Sequence, residues 1–270
     1  MTDQSAACED SATLDDEQLT ALLRNDRYPR SSRYSARWML DGAMGPNPVW
    51  LAEALTDVLP LRPGMRVLDM GCGNVLTSIF LAKEFDVEVW ATDLWVSASD
   101  NWQRITQADL ADRVFPIYAE AHALPFAEEF FDALVSIDAY HYFGTDDLYI
   151  GYYSRFVKPD GRIGFVVPGV DTELDAVPPP HLPNLGWEAC SFHSPQWWRR
   201  HLEKTGLVHV DIADRLPDGW RDWLQWDEAG DQYRGRPSQE PDMLRIDAGR
   251  VFGFTRVMAH RIGQTPDTTP

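Results

Sequence analysis

Two hydrophobic rhythms alternate along the middle of the chain. Short apolar runs at Val67–Met70, Val87–Asp93, Val114–Tyr118, Ala133–Ile137 and Ile163–Val167 suit strands covered on both faces. Between them, Leu76–Lys83, Asn101–Ala111 and Asp146–Phe156 read as helices. Such alternation builds a doubly wound, mostly parallel sheet. Upstream, Leu19, Leu22 and Leu23 share one side of a helix predicted over Asp15–Asn25, and the turn Met44–Pro48 precedes a helix at Val49–Val58. Downstream the rhythm breaks. Gly169–Cys190, with Pro178, Pro179, Pro180, His181, Pro183 and Trp187, is a long irregular insertion, and long loops of this kind are usually functional or mobile. A helix then starts after Ser194 and Pro195, cap and first-turn residue respectively. Val208–Ala213 reads as a strand, Asp231–Gln239 as a polar loop and Val251–Ile262 as the last strand. Trp220, Trp223 and Trp226 share a helix face, which suits either core packing or the aromatic wall of a pocket. Residues 1–12 and the tail 263–270 are expected to be disordered.

The stretch Met65–Leu76 organises the rest. A buried strand containing Asp69 ends in the turn Gly71-Cys72-Gly73, and an apolar helix follows. The glycines permit backbone geometry that other residues resist and let a ligand approach the main chain. The helix aims its free N–H groups and its positive dipole end at whatever sits on the turn. The next strand ends in Asp93, and an acidic residue about 20 positions beyond a glycine turn is placed to bind ribose hydroxyls.

Strand, glycines, helix, strand and Asp93, together with Leu124-Pro125-Phe126 and Phe130-Phe131-Asp132 ahead of the fourth strand, resemble the class I S-adenosylmethionine (SAM)-dependent methyltransferases of the small-molecule group. The likeness is clear over Trp50–Pro168 and loose elsewhere. It implies a Rossmann-like seven-stranded sheet with the last-inserted strand antiparallel. It also implies SAM as cofactor and S-adenosylhomocysteine as product. On the family pattern Gly71, Cys72 and Gly73 shape the turn under the methionine half, with Asp69 near its amino group. Leu94 and Trp95 lie beside the adenine, with Trp95 readable equally as ordinary core. Glu120 and Ala121 meet the adenine edge, with a solvated loop carboxylate as the plainer reading of Glu120. Asp138 lies nearest the cofactor off the fourth strand. Tyr34 and Met44 are lid candidates in the segment ahead of the first strand, although Tyr34 could simply pack a helix onto the body. Where the family has its usual third glycine, this chain has Val75. The resulting division is an N-terminal arm with lid helices (1–48), a SAM-binding core (49–170), and the rest of the sheet with an acceptor-pocket insertion (171–262).

Methyl transfer from a sulfonium is an in-line displacement, so alignment and exclusion of water matter most. A base is needed only where the acceptor must lose a proton. His141 is the first candidate, by position and by the ordinary pKa of imidazole, and Tyr140 the second. His141 could instead only shape the pocket. The space facing the sulfur is expected between these residues and the 178–187 insertion. No metal constellation and no Gly-x-Ser-x-Gly elbow is found. Across its 270 residues the chain carries a net charge of -18 with pI ≈ 4.6. That balance disfavours nucleic acid and is read as solubility or as a preference for neutral or cationic substrates. Three scattered cysteines, no apolar run of membrane-spanning length and no basic-apolar leader suit a reducing cytoplasm and no membrane. Oligomeric state is not readable. The expectation is a cytoplasmic methyltransferase acting on O or N of a small molecule. The rivals are a SAM-binding sensor or scaffold and, less strongly, a nicotinamide-dependent oxidoreductase.

Overall fold

The computed structural model describes residues 14–263; the readings placed on residues 1–12 and 264–270 lie outside the described residues. In chain order the elements are α1 (Asp16–Leu22), α2 (Ala36–Asp41), α3 (Pro48–Thr56), β1 (Arg66–Met70), α4 (Leu76–Phe85), β2 (Glu88–Asp93), α5 (Ala98–Gln107), β3 (Val114–Tyr118), β4 (Phe131–Ile137), a 3-10 turn (Tyr140–Tyr142), α6 (Tyr149–Tyr153), β5 (Val157–Val170), α7 (Pro195–Glu203), β6 (Val208–Arg215), α8 (Gly219–Arg234), α9 (Glu240–Asp247) and β7 (Phe252–Arg261).

The sheet runs β3-β2-β1-β4-β5-β7-β6. β1 to β5 pair in parallel, and β7 is inserted antiparallel between β5 and β6, as expected. One face is covered by the helices of the arm, α3, α4 and α8, with Leu55, Phe80 and Trp226 in the packing. On the other face Tyr149, Phe165 and Trp198 form an aromatic layer. Strand order reverses at β1 and β4, so the crevice beyond their carboxyl ends is where such a sheet binds ligands.

Local sequence explains the element ends. Asn47 accepts the N–H groups of Val49 and Trp50 and Pro48 opens α3. Ser97 and Ser194 cap α5 and α7 in the same way. α4 has no side-chain cap; it starts from Val75, whose φ is +58°. Two readings need correction and one element was not foreseen. The helix predicted over Asp146–Phe156 is α-helical only over Tyr149–Tyr153, because the residues before it are held in turns by Asp146. The loop predicted from Asp231 is helical up to Arg234, where Gly235 ends α8 with φ +64°. α9 follows, unforeseen because its pattern is polar; it buries Pro241 and Leu244. Among the described residues no helix is long and apolar enough to cross a membrane.

Candidate active site

A cleft of about 290 Å³ lies over the carboxyl ends of β1, β2 and β4. Its floor is the turn after β1. Gly71 has φ +73° and Gly73 φ +52°, conformations that favour glycine. A Cβ at Gly71 would overlap that of Ala139, and one at Gly73 would lie 2.9 Å from the Met44 sulfur. Cys72 is buried beside them and lines the same wall.

The turn is tied to β2 by one side chain. Asp93 Oδ2 accepts the Gly73 N–H at 2.8 Å, and Oδ1 accepts those of Trp95 (2.7 Å) and Val96 (2.9 Å). The strand-tip carboxylate therefore sets the floor while lining the cleft. Asn101 of α5 donates to the Gly73 carbonyl. Leu94 and Trp95 stand exposed on one flank, and the Trp95 ring meets Tyr142 edge-on at 5.9 Å. Ala119 to His122 form the neighbouring edge. The Glu120 carboxylate is turned onto His122, accepting its N–H and pairing with its ring, which holds it below the usual carboxylate range. Met44, Gly45 and Pro46 form the opposite rim, pinned by Trp226 Nε1 donating to the Gly45 carbonyl at 2.8 Å.

Asp138 lies on the wall with φ +53°. Its carboxylate rests against Gly45 and is pushed up to about 8 by burial and by the nearby charge of Asp227. Asp227 is itself raised to about 7, first by burial and then by Glu240 and Asp231, and its Oδ2 is buried without a partner. Sequence reasoning missed Asp227, since no local pattern ties a helix some ninety positions downstream to β4.

Other expected site residues lie elsewhere. Tyr140 is fully buried in the aromatic layer, stacked on Phe165 at 4.3 Å. Burial raises its phenol, and no group pairs with its hydroxyl. His141 is 3% exposed, packed on Tyr142 and Phe192, and burial lowers its ring to about 4. Neither lines the cleft. The cause is the 3-10 turn, whose successive side chains splay in different directions, so Tyr142 faces the cleft while Tyr140 points into the core. Tyr34 stacks on Trp38 and donates to Glu84, away from the cleft; Met44 is the arm residue that reaches it. Asp69 lies behind the floor, fully buried, accepting the hydroxyls of Thr77 and Ser78. Burial pushes it up to about 6, and its Oδ1 has no partner. The 178–187 insertion does not border the cleft. It lines a second cavity of about 470 Å³ with α8 and α9.

Residues 67–161 match the family profile described as Methyltransferase domain. This match and the methyltransferase relatives support assignment to the class I SAM-dependent methyltransferase superfamily. The enzyme is 27% identical over 216 residues to 27-O-demethylrifamycin SV methyltransferase of Amycolatopsis mediterranei, a match covering 76% of this chain and 77% of that one. The matches to several other relatives cover between 28% and 59% of those proteins. Among solved structures the methyltransferase resembles Haemonchus contortus phosphoethanolamine N-methyltransferase 2 in complex with SAM (TM-score 0.68, 18% identity, 91% and 60% of the two chains). It also resembles the Streptomyces coelicolor geranyl diphosphate C-methyltransferase (0.63, 19%, 78% and 76%).

The cleft fits the superfamily's cofactor, S-adenosylmethionine. Two glycines clear the floor, Asp93 offers carboxylate oxygens, and exposed Leu94 and Trp95 supply an apolar flank. Asp93 and Glu120 line it without any Lys or Arg, which suits a cationic sulfonium. Among the described residues no group of three or more His, Cys, Asp or Glu is placed to hold a metal ion.

Proposed function

We propose that the enzyme methylates an oxygen or nitrogen of a small molecule, with Asp138 as the group that takes the acceptor's proton. When bound, SAM supplies a methyl group already activated by positive sulfur. In this reading Asp93 holds the ribose, Gly71, Cys72 and Gly73 floor the methionine half, Leu94 and Trp95 flank the base, and Glu120 with Ala121 edges it. Asp69 fixes the floor through Thr77 and Ser78. Met44 and the segment to residue 48 act as the lid, and water is excluded where Trp226 clamps Gly45.

The observation that carries the reading is Asp138 itself. It is on the cleft wall, apposed to the lid residue Gly45, and among the described residues no cation or donor neutralises it. A carboxyl held near 8 keeps its proton at neutral pH and, once ionised, is a stronger base than an ordinary carboxylate. Tyr140 has no route to the cleft, and His141 is reduced to supporting Tyr142. Calorimetry with S-adenosylhomocysteine and a single-turnover assay on a methyl-acceptor panel test this. Asp138→Asn should leave S-adenosylhomocysteine affinity within about threefold while lowering turnover roughly 100-fold or more. Asp93→Ala should cost at least about tenfold in affinity. Full turnover by Asp138→Asn would end the assignment.

A further inference from the structure

The second cavity is larger than the cofactor cleft and lies beside it. Leu182, Leu185, Phe192, Trp223, Met243 and Ile246 give it an apolar wall. Its charged lining is acidic: Asp242 is paired with Arg245, whereas Glu188 and Glu240 sit on the wall with no ion pair among the described residues. His181, the one basic side chain there, is held by buried Asp247 at 3.0 Å.

Two ring contacts and a shared helix face connect the cavities. Phe192 of the cavity wall packs edge-on against His141 at 5.6 Å, and His141 packs on Tyr142 of the cleft at 4.0 Å. Trp223 of the wall and Asp227 are four residues apart on α8, hence on one helix face, and the field of Asp227 reaches Asp138. The charge of Glu188 is felt by Tyr142, and that of Glu240 by Asp227. Phe192, His141 and Tyr142 thus lie where the two spaces meet.

We propose that this cavity takes the body of the methyl acceptor, and that the acceptor is a bulky apolar molecule bearing a basic amine, held by Glu188 and Glu240 and directed past Phe192 and Trp223 toward Asp138. The proposal rests on the methyl-transfer reading above. An apolar body gains by leaving water on such a wall. The unpaired carboxylates attract an ammonium and repel a carboxylate or phosphate, for which neither cavity offers a Lys or Arg.

Three probes of equal shape test it: naphthylmethylamine, naphthalenemethanol and naphthoate, titrated by fluorescence at physiological salt with and without saturating S-adenosylhomocysteine. The amine should bind at least about tenfold tighter than naphthoate, with the alcohol between. In Glu188→Gln/Glu240→Gln the amine and naphthoate should come within about threefold of each other. Met243→Trp, which fills the cavity, should weaken all three by about tenfold or more and leave S-adenosylhomocysteine affinity unchanged. Equal or tighter binding of naphthoate, a preference that survives the double substitution, or probe affinities indifferent to Met243→Trp would overturn the proposal. Lack of S-adenosylhomocysteine binding would instead overturn the cofactor reading, while the probe titrations without it still decide the cavity.

Discussion

Val75 is a β-branched residue held at φ +58°, a conformation that costs an L-residue roughly 1–2 kcal/mol. It persists because its side chain is fully buried and because its N–H donates to the Cys72 carbonyl, fixing the start of α4. At an ordinary buried strand position such as Val89, going from Ala to Gly should cost about 1 kcal/mol. At Val75 the same step, Val75→Ala against Val75→Gly in urea unfolding, should cost about 0.5 kcal/mol or less, since glycine releases the strain. A full extra kilocalorie would show that the position is unstrained. Tyr140 carries the opposite burden, a buried hydroxyl with no partner. Tyr140→Phe should raise stability by about 1 kcal/mol, or roughly 2–4 °C in Tm for a domain of this size, and leave turnover unchanged. A large loss of turnover would restore Tyr140 to the site. The sequence pointed to His141 and Tyr140 rather than Tyr142, because a three-residue segment without periodicity does not say which way a turn will wind.

At the scale of elements, α8 joins the arm to the cleft. Trp226 donates to the Gly45 carbonyl and packs edge-on against Trp50 of α3 at 6.2 Å, while Trp223 stacks on Phe254 of β7. The stripe Trp220, Trp223, Trp226 is thus neither plain core nor plain pocket wall: Trp226 is a clamp, and Trp223 is core on one side and cavity wall on the other. Trp226→Phe keeps an aromatic ring and loses the donor. It should lower S-adenosylhomocysteine affinity three- to tenfold, the worth of about 1 kcal/mol, by loosening residues 44–46. Unchanged affinity in calorimetry would mean that this rim does not touch the ligand. The period of the stripe was legible; its partners were not, because they come from α3 and the 44–46 turn, some 180 positions upstream.

For the whole molecule the acid pair sets the pH response. Asp138 is raised to about 8 and Asp227 to about 7, so between the ordinary carboxylate range and those values the native state holds protons that the unfolded chain has released. Their contribution to stability is complete at low pH and is lost as pH rises through about 7 to 8. His141, lowered to about 4, acts oppositely: the unfolded chain binds the extra proton, so its contribution grows from about pH 4 to about 6.5. Above that only the acids remain, and Tm should fall from pH 6.5 to 8.5. Asp138→Asn, tolerated at positive φ, should flatten that fall. A Tm that rises across this window, or an unaltered slope in the variant, would refute the assignment.

The sequence by itself determined the strands of a mostly parallel sheet and the glycine turn with Asp93, because these depend on local period, on the freedom of glycine and on a fixed strand-helix-strand spacing. It also placed Asp138 at the mouth, since residues just beyond a strand's carboxyl end must face the crevice. Only the tertiary structure decided that Tyr142 rather than Tyr140 faces the cleft, that Asp227 stands by Asp138, and that the insertion builds its own cavity with α8 and α9. Those outcomes rest on packing between segments far apart in the chain, where the choice is made by which surfaces exclude water together and not by any pattern within one segment.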